Sequence, residues 1–267
     1  ELNIDKSITV SPIKGGYSNA QNKLDNFIKT GFNDYAQYRS DPSKNAASGL
    51  SPYFHFGQIS THEVFDKIAK LDSWSPELIN PKMVGRREGW WGGSINFESF
   101  MDELITWREL GYHTCVRRAN YNQYTSLPEW AVRTLEEHST DKREYIYSLD
   151  EFEYSRTHDE IWNAAQNQLR SDGIIQNYLR MLWGKKILEW SPNPQTALSY
   201  MITLNDRYSL DGRDPNSYSG VFWILGRYDR AWGPERKIYG KIRYMTSDSA
   251  ARKFNLTPYL EKWGNKD

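Results

Sequence analysis

The stretch from Gln176 to Met245 limits the possible folds more than any other part of the chain. It contains in turn QNYLRMLWGKKILEW, LNDRYSLDGRDPN, VFWILGRYDRAWG and GKIRYM. Regularly placed tryptophans, an Arg/Asn/Asp-rich helix junction and a basic-aromatic run occur together, a combination that an ordinary helical core does not need. Tryptophan is also the compositional outlier: 11 Trp and 18 Tyr bring aromatic residues to 15% of 267 positions. Core packing accounts for some of them, such as Trp74 and Trp130. It accounts poorly for so many indoles beside charged or polar neighbours.

Apolar residues recur at helical spacing along the chain, and no convincing alternating strand occurs. Asn19 is placed to cap a helix running to about Thr30, with Leu24, Phe27 and Ile28 inward. Ser60 is placed to cap another through Lys70. Phe97, Phe100, Met101, Leu104, Ile105 and Leu110 predict a single buried helical face. Further helices are expected near 129–138, 158–170, 174–190 and 194–207, with Gly173 separating the second from the third. Ser40 to Ser51 reads as a polar loop, and Ser73 to Ser94, with Pro76, Pro81 and four glycines, as a long irregular segment. Without repeats or low-complexity tracts, this pattern predicts an all-α bundle in one domain over residues 1–267.

Lys+Arg and Asp+Glu both total 34, so the net charge is zero and a generic polybasic nucleic-acid binder is disfavoured. Any affinity for DNA must come from local segregation of charge. Arg227 to Arg243 offers it, with Arg227, Arg230, Arg236, Lys237, Lys241 and Arg243 against Asp229 and Glu235. The lone cysteine, Cys115, rules out an internal disulfide framework, and the five histidines form no metal-ligand spacing with it. No apolar run is long enough to span a bilayer. The chain opens at Glu1 without an initiator methionine and is expected to be a processed or excised piece of a soluble protein.

Four groups of residues are candidates to carry chemistry, and each also has a plain structural reading, as a loop, a surface turn with salt bridges, core packing or an amphipathic helix. Tyr35 to Pro42 and then Ala47-Ser48-Gly49-Leu50-Ser51-Pro52-Tyr53 place hydroxyls, a glycine and backbone N–H groups just before a helical region, a turn suited to an anion such as a diphosphate. Arg180, with Asn177 and Met181 on the same helix, Leu204 to Tyr208, and Asp211 to Asp214 offer the donors and acceptors that a flat heteroaromatic ring requires. Trp183 and Trp190 lie two turns apart, about 10 Å along one helix face, and Trp162 on the preceding helix can pack between them. Glu103 and Trp107, one turn apart, join a carboxylate to a stacking ring.

These residues resemble the C-terminal flavin-binding region of the DNA photolyase/cryptochrome superfamily, and best the class II cyclobutane pyrimidine dimer photolyases. The resemblance covers about residues 15–262 and is most specific after Glu103. It implies an all-α FAD-binding domain. Ser48, Gly49, Leu50 and Ser51 are similar to the Ser-x-Leu-Ser-Pro-Tyr signature and would hold the FAD diphosphate, with Tyr35 at the same end. The family often has Thr or Gln where Ala47 stands. Asn177, Arg180, Asn205, Asp211 and Asp214 would contact the flavin, with either Asn205 or Asp211 facing N5. Trp183, Trp162 and Trp190 would form an electron relay as proximal, middle and surface-side members. Glu103, Trp107, Met181, Trp223 and Trp232 match positions lining the dimer pocket, and Arg227, Arg230, Lys241 and Arg243 are the candidate DNA rim.

The implied function is light-driven repair of pyrimidine dimers in DNA by an electron from reduced FAD, in a monomer without metal. The expected location is cytoplasmic and nucleoid-associated, or nuclear in a eukaryote. A cryptochrome-like photoreceptor that uses FAD without repair is the alternative, and a helical binding module whose aromatics are only core is a third. The family's N-terminal α/β antenna domain is absent from this sequence. Residues 83–96 (MVGRREGWWGGSIN) fall outside the class II pattern, and Ile175-Gln176-Asn177 stands where Met-His-Gly is usual. No histidine adjoins the matched pocket residues, and the choice between cyclobutane and 6-4 lesions stays open.

Overall fold

The periodicity expected of a helical chain is realised throughout the computed structural model, which describes residues 5–265. In chain order the helices are α1 (Tyr17–Thr30), α2 (Tyr35–Tyr38), α3 (Ser51–His55), α4 (Thr61–Leu71), α5 (Ile95–Met101), α6 (Arg108–Arg117), α7 (Glu129–Glu137), α8 (Leu149–Glu153), α9 (Glu160–Asp172), α10 (Asn177–Trp190), α11 (Pro194–Tyr208), α12 (Pro215–Ile224), α13 (Ser247–Lys253) and α14 (Thr257–Trp263). Among the described residues no strand forms, and one isolated bridge joins Arg236 to Gly240. The chain divides into two compact units, Ile13–His113 and the remainder.

In the N-terminal unit α1 turns Ala20, Leu24 and Phe27 inward, at the spacing of one helix face. Phe27, Tyr35 and Phe100 meet there, with ring centroids 5.2–5.7 Å apart. Gly16, not Asn19, occupies the cap position of α1; Asn19 lies in the first turn and its amide donates to the Gly15 carbonyl at 2.8 Å. Ser60 caps α4 as expected, accepting from the His62 N–H. Between α5 and α6 the helix widens into a π-helical turn, Asp102–Trp107. The extra residue rotates the next turns of helix away from the original face. That is why Phe97, Phe100, Met101 and Leu104 are buried while Leu110, expected to join them, is 38% exposed.

The irregular segment before α5 is tied down by one carboxylate. Glu98, itself 5% exposed, accepts hydrogen bonds from the backbone N–H of Gly89 at 2.5 Å and Gly92 at 2.7 Å. The Trp74 indole N–H donates to the Trp91 carbonyl at 2.7 Å while its ring stacks on Phe97. Asp72 accepts from the Ser94 N–H at 2.8 Å. Residues 83–96 are therefore a strap held against α4 and α5.

In the C-terminal unit the core is built from α9, α10, α11 and α12 around Trp162, Trp183, Phe152 and Phe222. Gly173 ends α9 in the left-handed conformation (φ 74°), its N–H returning to the Leu169 carbonyl at 3.0 Å. A side chain there would be strained. Asp159 and Gln176 cap α9 and α10.

Replacing Glu98 by Ala removes the only acceptor seen for the Gly89 and Gly92 N–H groups among the described residues. The variant is expected to lose about 2–3 kcal/mol in urea unfolding, with red-shifted tryptophan emission as Trp74, Trp90 and Trp91 gain water. Unchanged stability and emission would show that the strap is anchored elsewhere.

Candidate functional site

The residues singled out in the sequence fall into two sets, one in each unit. In the N-terminal unit Gly49 adopts φ 64°, a turn that glycine makes without strain. The Leu50 N–H lies 3.4 Å from Ser48 Oγ, and Ser51 opens α3. Ser48 is half-buried and Gly49 and Ser51 are exposed. Leu50 is fully buried, so its side chain anchors the loop and only its backbone can face a ligand.

Tyr35, expected at the same end of the cofactor as that loop, opens α2. Its ring is buried against Phe27 and Phe100. Burial, reinforced by the nearby Glu103 carboxylate, raises its hydroxyl pKa well above the ordinary phenol range. The Arg39 guanidinium sits 5.7 Å from its ring centroid and forms an ion pair with Glu103. Tyr35, Arg39 and Glu103 are thus one connected group. Arg39 was legible only as a loop residue, because its partner is 64 positions away.

Glu103 and Trp107 both sit in the π-helical turn, where the Trp107 indole N–H donates to Asp102 Oδ2 at 2.9 Å. The local ion pair expected of a plain amphipathic helix forms instead between Arg108 and Glu109, at 2.6 Å. Glu103 is left to the cross-helix pair with Arg39, half-exposed and accepting.

In the C-terminal unit Arg180, Asn205 and Asp211 come together. Arg180 Nη1 donates to Asn205 Oδ1 at 3.0 Å, and Nη2 lies 3.9 Å from Asp211 Oδ1. The Asn205 amide, on the buried face of α11, donates to Ser217 Oγ. Asp211 accepts from the Ser209 hydroxyl. Asp214 joins the cluster through its backbone N–H, 3.4 Å from the Asp211 carbonyl, while the side chains of the two remaining expected members have local roles. Asp214 caps α12, accepting from the Asn216 N–H at 2.9 Å, and Asn177 is exposed at the start of α10.

Three residues after Arg180 on the same helix comes Trp183. Its indole N–H donates to Gln166 Oε1 at 2.8 Å, and the Trp162 indole N–H donates to the Trp183 carbonyl at 2.9 Å. The Trp162 and Trp190 rings are 6.2 Å apart, edge to face. The contact order 183–162–190 is the one expected from the sequence. Trp190 is only 3% exposed, so the expected surface-side indole is itself covered. His158 and Tyr147 pack on it, with centroids 4.8 and 5.8 Å away. Gln166 is an orienting residue that the tryptophan spacing alone did not reveal.

Met181 and Trp223 are half-buried, and Trp223 meets Tyr228 edge to face. Trp232 donates its indole N–H to Asp229 Oδ1 at 3.0 Å, and the guanidinium groups of Arg230 and Arg243 lie 4.5 and 5.4 Å from its ring centroid. Arg230, Lys241 and Arg243 are exposed, as a rim requires. Arg227 is not. It is 5% exposed, donates to the Tyr121 carbonyl at 2.7 Å and to Ser126 Oγ, and lies 3.8 Å over the Phe222 ring. Its charge is used internally, and it is withdrawn from the rim. Among the described residues no His/Cys/Asp/Glu group suits a metal ion, and no helix is long and apolar enough to cross a membrane.

No protein-family model matches the chain. It is 41% identical over 252 residues to a deoxyribodipyrimidine photo-lyase of Methanothermobacter thermautotrophicus, covering 94% of this chain and 51% of that protein. A deoxyribodipyrimidine photo-lyase of Potorous tridactylus is 38% identical over 263 residues, covering 98% of this chain and 46% of that protein. The chain therefore spans about half the length of the curated relatives it matches. Among solved structures, a bacterial class III photolyase from Agrobacterium tumefaciens aligns with a TM-score of 0.67 at 19% identity, covering 97% of this chain and 48% of that one. An archaeal photolyase from Sulfolobus tokodaii with two FAD molecules aligns with a TM-score of 0.60 at 18% identity, over 96% and 48%. These structural alignments show the shared helical fold.

Lys185, between the two ends of α10, is fully buried and its ammonium donates to the Ile224 carbonyl. Burial pushes its pKa from the ordinary 10.5 down to about 7. Between these values the unfolded chain holds the extra proton, so stability rises with pH through that window, and the penalty is fully present below it. Urea unfolding is expected to show a gain of up to about 1.4 kcal/mol per pH unit from pH 7 to 9, and Lys185→Met to abolish it. An equal slope in the variant would assign the effect to another group.

Proposed function

We propose that this chain, which belongs to the photolyase/cryptochrome superfamily, acts with FAD as a light-driven lyase on cyclobutane pyrimidine dimers in DNA. The observation that carries the reading lies on α10. Arg180 joins a compact donor and acceptor cluster there, and Trp183, three residues on, begins a hydrogen-bonded and ring-to-ring series of three buried indoles.

The residues present fit the cofactor. The Arg180 guanidinium and Asn205 amide supply donors, and Asp211 an acceptor, for the polar edge of a flavin ring. Ser48 and Ser51 with the turn at Gly49 supply hydroxyls and backbone N–H groups for a diphosphate. Held there, reduced FAD would supply the light-driven one-electron chemistry that opening a cyclobutane ring needs.

A dimer must leave the duplex stack to be reached, and its impaired stacking lowers that cost. In the C-terminal unit Trp223 and Trp232 offer aromatic faces that would replace the lost stacking, with Met181 as a further apolar wall; in the N-terminal unit Trp107 offers another ring. Glu103, held by Arg39, accepts a hydrogen bond from a pyrimidine N–H near C4 and orients the base. Arg230, Lys241 and Arg243 hold phosphates on either side without reading sequence. Trp183, Trp162 and Trp190 pass electrons inward when the flavin starts oxidised. Their role is activation, separate from repair.

Protein purified from cells is expected to carry flavin, and the flavin-free form to gain thermal stability on adding FAD. Absence of both effects would refute the cofactor assignment. In repair assays on an irradiated oligonucleotide, Trp223→Ala is expected to cost about 1–3 kcal/mol of affinity, on damaged DNA alone. Neutralising Arg230 or Arg243 should weaken damaged and undamaged DNA alike and shallow the salt dependence by about one unit. Intact repair and affinity in Trp223→Ala would displace the pocket. Light-dependent flavin chemistry with no loss of dimers would favour the photoreceptor.

For the relay, Trp183→Phe keeps an aromatic ring but is far harder to oxidise. It is expected to stop photoreduction of the oxidised flavin and to leave repair by pre-reduced enzyme intact. Photoreduction at the parent rate would rule the relay out.

A further inference from the structure

Beside Trp190 the C-terminal unit holds a cavity of about 410 Å³, within the range that takes a small ring-bearing ligand. Its buried wall is Trp190, Tyr239 and Lys186. Tyr145 and Tyr244 also line it, and they are 39% and 38% exposed. Each already carries a partner, His158 stacked on Tyr145 and Arg236 over Tyr244, and the part left exposed gives a ligand ring an aromatic surface to meet. His158 continues the aromatic wall, 3.8 Å from the Tyr145 centroid and 4.8 Å from that of Trp190.

The charge around this cavity is lopsided. Lys142, Lys186, Arg236 and Lys237 line it against Glu144 and Glu189, an excess of two positive charges in a chain whose net charge is zero. Lys186 is held in place by Glu189 at 2.7 Å and lies 5.2 Å from the Trp190 ring centroid; Arg236 lies 4.7 Å over Tyr244. A ligand combining a flat ring with phosphate answers both features, stacking on the tyrosines while its anion meets the cations.

We infer that this cavity docks an anionic nucleotide-type reductant, a dihydronicotinamide in chemical class, and passes one electron from it to oxidised Trp190. The inference rests on the relay reading above. Once Trp190 has given an electron to Trp162 it is a radical cation. The dihydronicotinamide ring returns one electron to it, restoring the neutral indole. The donor then loses its C4 proton to water and departs as a neutral radical carrying the second electron. A cavity against the last indole shortens the electron's path and raises the local donor concentration where an unbound donor would rely on collision. The buried position of Trp190 gives this docking its use, since a bulk reductant has little direct access to the ring.

NADH is the probe. In the dark, calorimetric titration of the flavin-loaded protein is expected to show one site, and the double variant Arg236→Glu/Lys237→Glu to bind at least about tenfold more weakly. Under blue light the rate of flavin photoreduction should saturate with NADH in the parent and become linear in the variant. With the uncharged reductant dithiothreitol both proteins should photoreduce alike. Absence of dark binding, equal affinity in the variant, or a linear NADH dependence in the parent would overturn the proposal. So would displacement of NADH by an undamaged single-stranded oligonucleotide, which would give the cavity to nucleic acid. Dimer repair by dithionite-reduced protein bypasses the cavity. Its loss in parent and variant alike, with dark NADH binding intact, would defeat the lyase reading and leave the docking site standing.

Discussion

Two indole N–H groups sealed inside the C-terminal unit fix the geometry on which the rest of that unit depends. Trp162 donates to the Trp183 carbonyl and Trp183 to the Gln166 side chain. Leaving either donor unpaired in an interior this dry costs about 1–3 kcal/mol. The pair of bonds therefore sets the register of α9 against α10, with Gly173 making the turn that lets them meet. That register produces the edge-to-face contact of Trp162 with Trp190 and, on the opposite reach of α10, the meeting of Arg180 with Asn205. On the proposed relay reading, packing and function would draw on the same bonds. A relay needs indoles at short, rigid separations, and a hydrogen-bonded core supplies them at no further entropic cost.

Much of this was legible because apolar spacing reports directly on helices. The expected spans at 158–170, 174–190 and 194–207 emerge as α9, α10 and α11 with ends shifted by a few residues, as helix boundaries usually are. The tryptophan order was legible for the same reason. Features with no periodic signature escaped. A π-helical turn changes no composition and only one residue of register, so Leu110 was expected inside and lies outside. Arg39 and Glu103 meet across 64 positions, a separation that local spacing cannot bridge. The Glu98 strap is similar, since a carboxylate on an apolar helix face has no visible partner until the loop folds over it.

Charge was the least legible quantity. A run of cations from Arg227 to Arg243 looks uniform in sequence, yet its members do opposite work. Arg227 lies just past the end of α12 and folds back onto Phe222, where Tyr121 and Ser126 satisfy it. Arg230 and Arg243 stay in water around Trp232. Lys185 and Lys186 are adjacent on α10 and both buried, one serving the Ile224 carbonyl and the other Glu189. Zero net charge thus hides three populations of cation: internal ties, a rim, and the walls of a cavity. Only water-facing cations act at a distance, because they raise the local potential while buried paired ones, Lys186 in the cavity wall included, are spent on their partners.

The tryptophan series by itself does not separate repair from signalling, since both need an electron path to a flavin. The charged rings bear more directly on the choice. A stacking indole flanked by two guanidinium groups, with its N–H held by Asp229, suits an extruded base whose neighbouring phosphates need neutralising. Signalling asks for no such surface, and exposed cations packed together cost electrostatic free energy unless an anion meets them. Glu103 points the same way. Anchored by Arg39 in a π-helical turn, it is a half-exposed acceptor, and a carboxylate that accepts can be answered by a pyrimidine N–H. On the repair reading such a pair would reward the correct base, while Arg39 keeps the carboxylate paired when the base is absent. On the proposed reading, selectivity for the lesion would depend on the ion pair that holds the carboxylate in place.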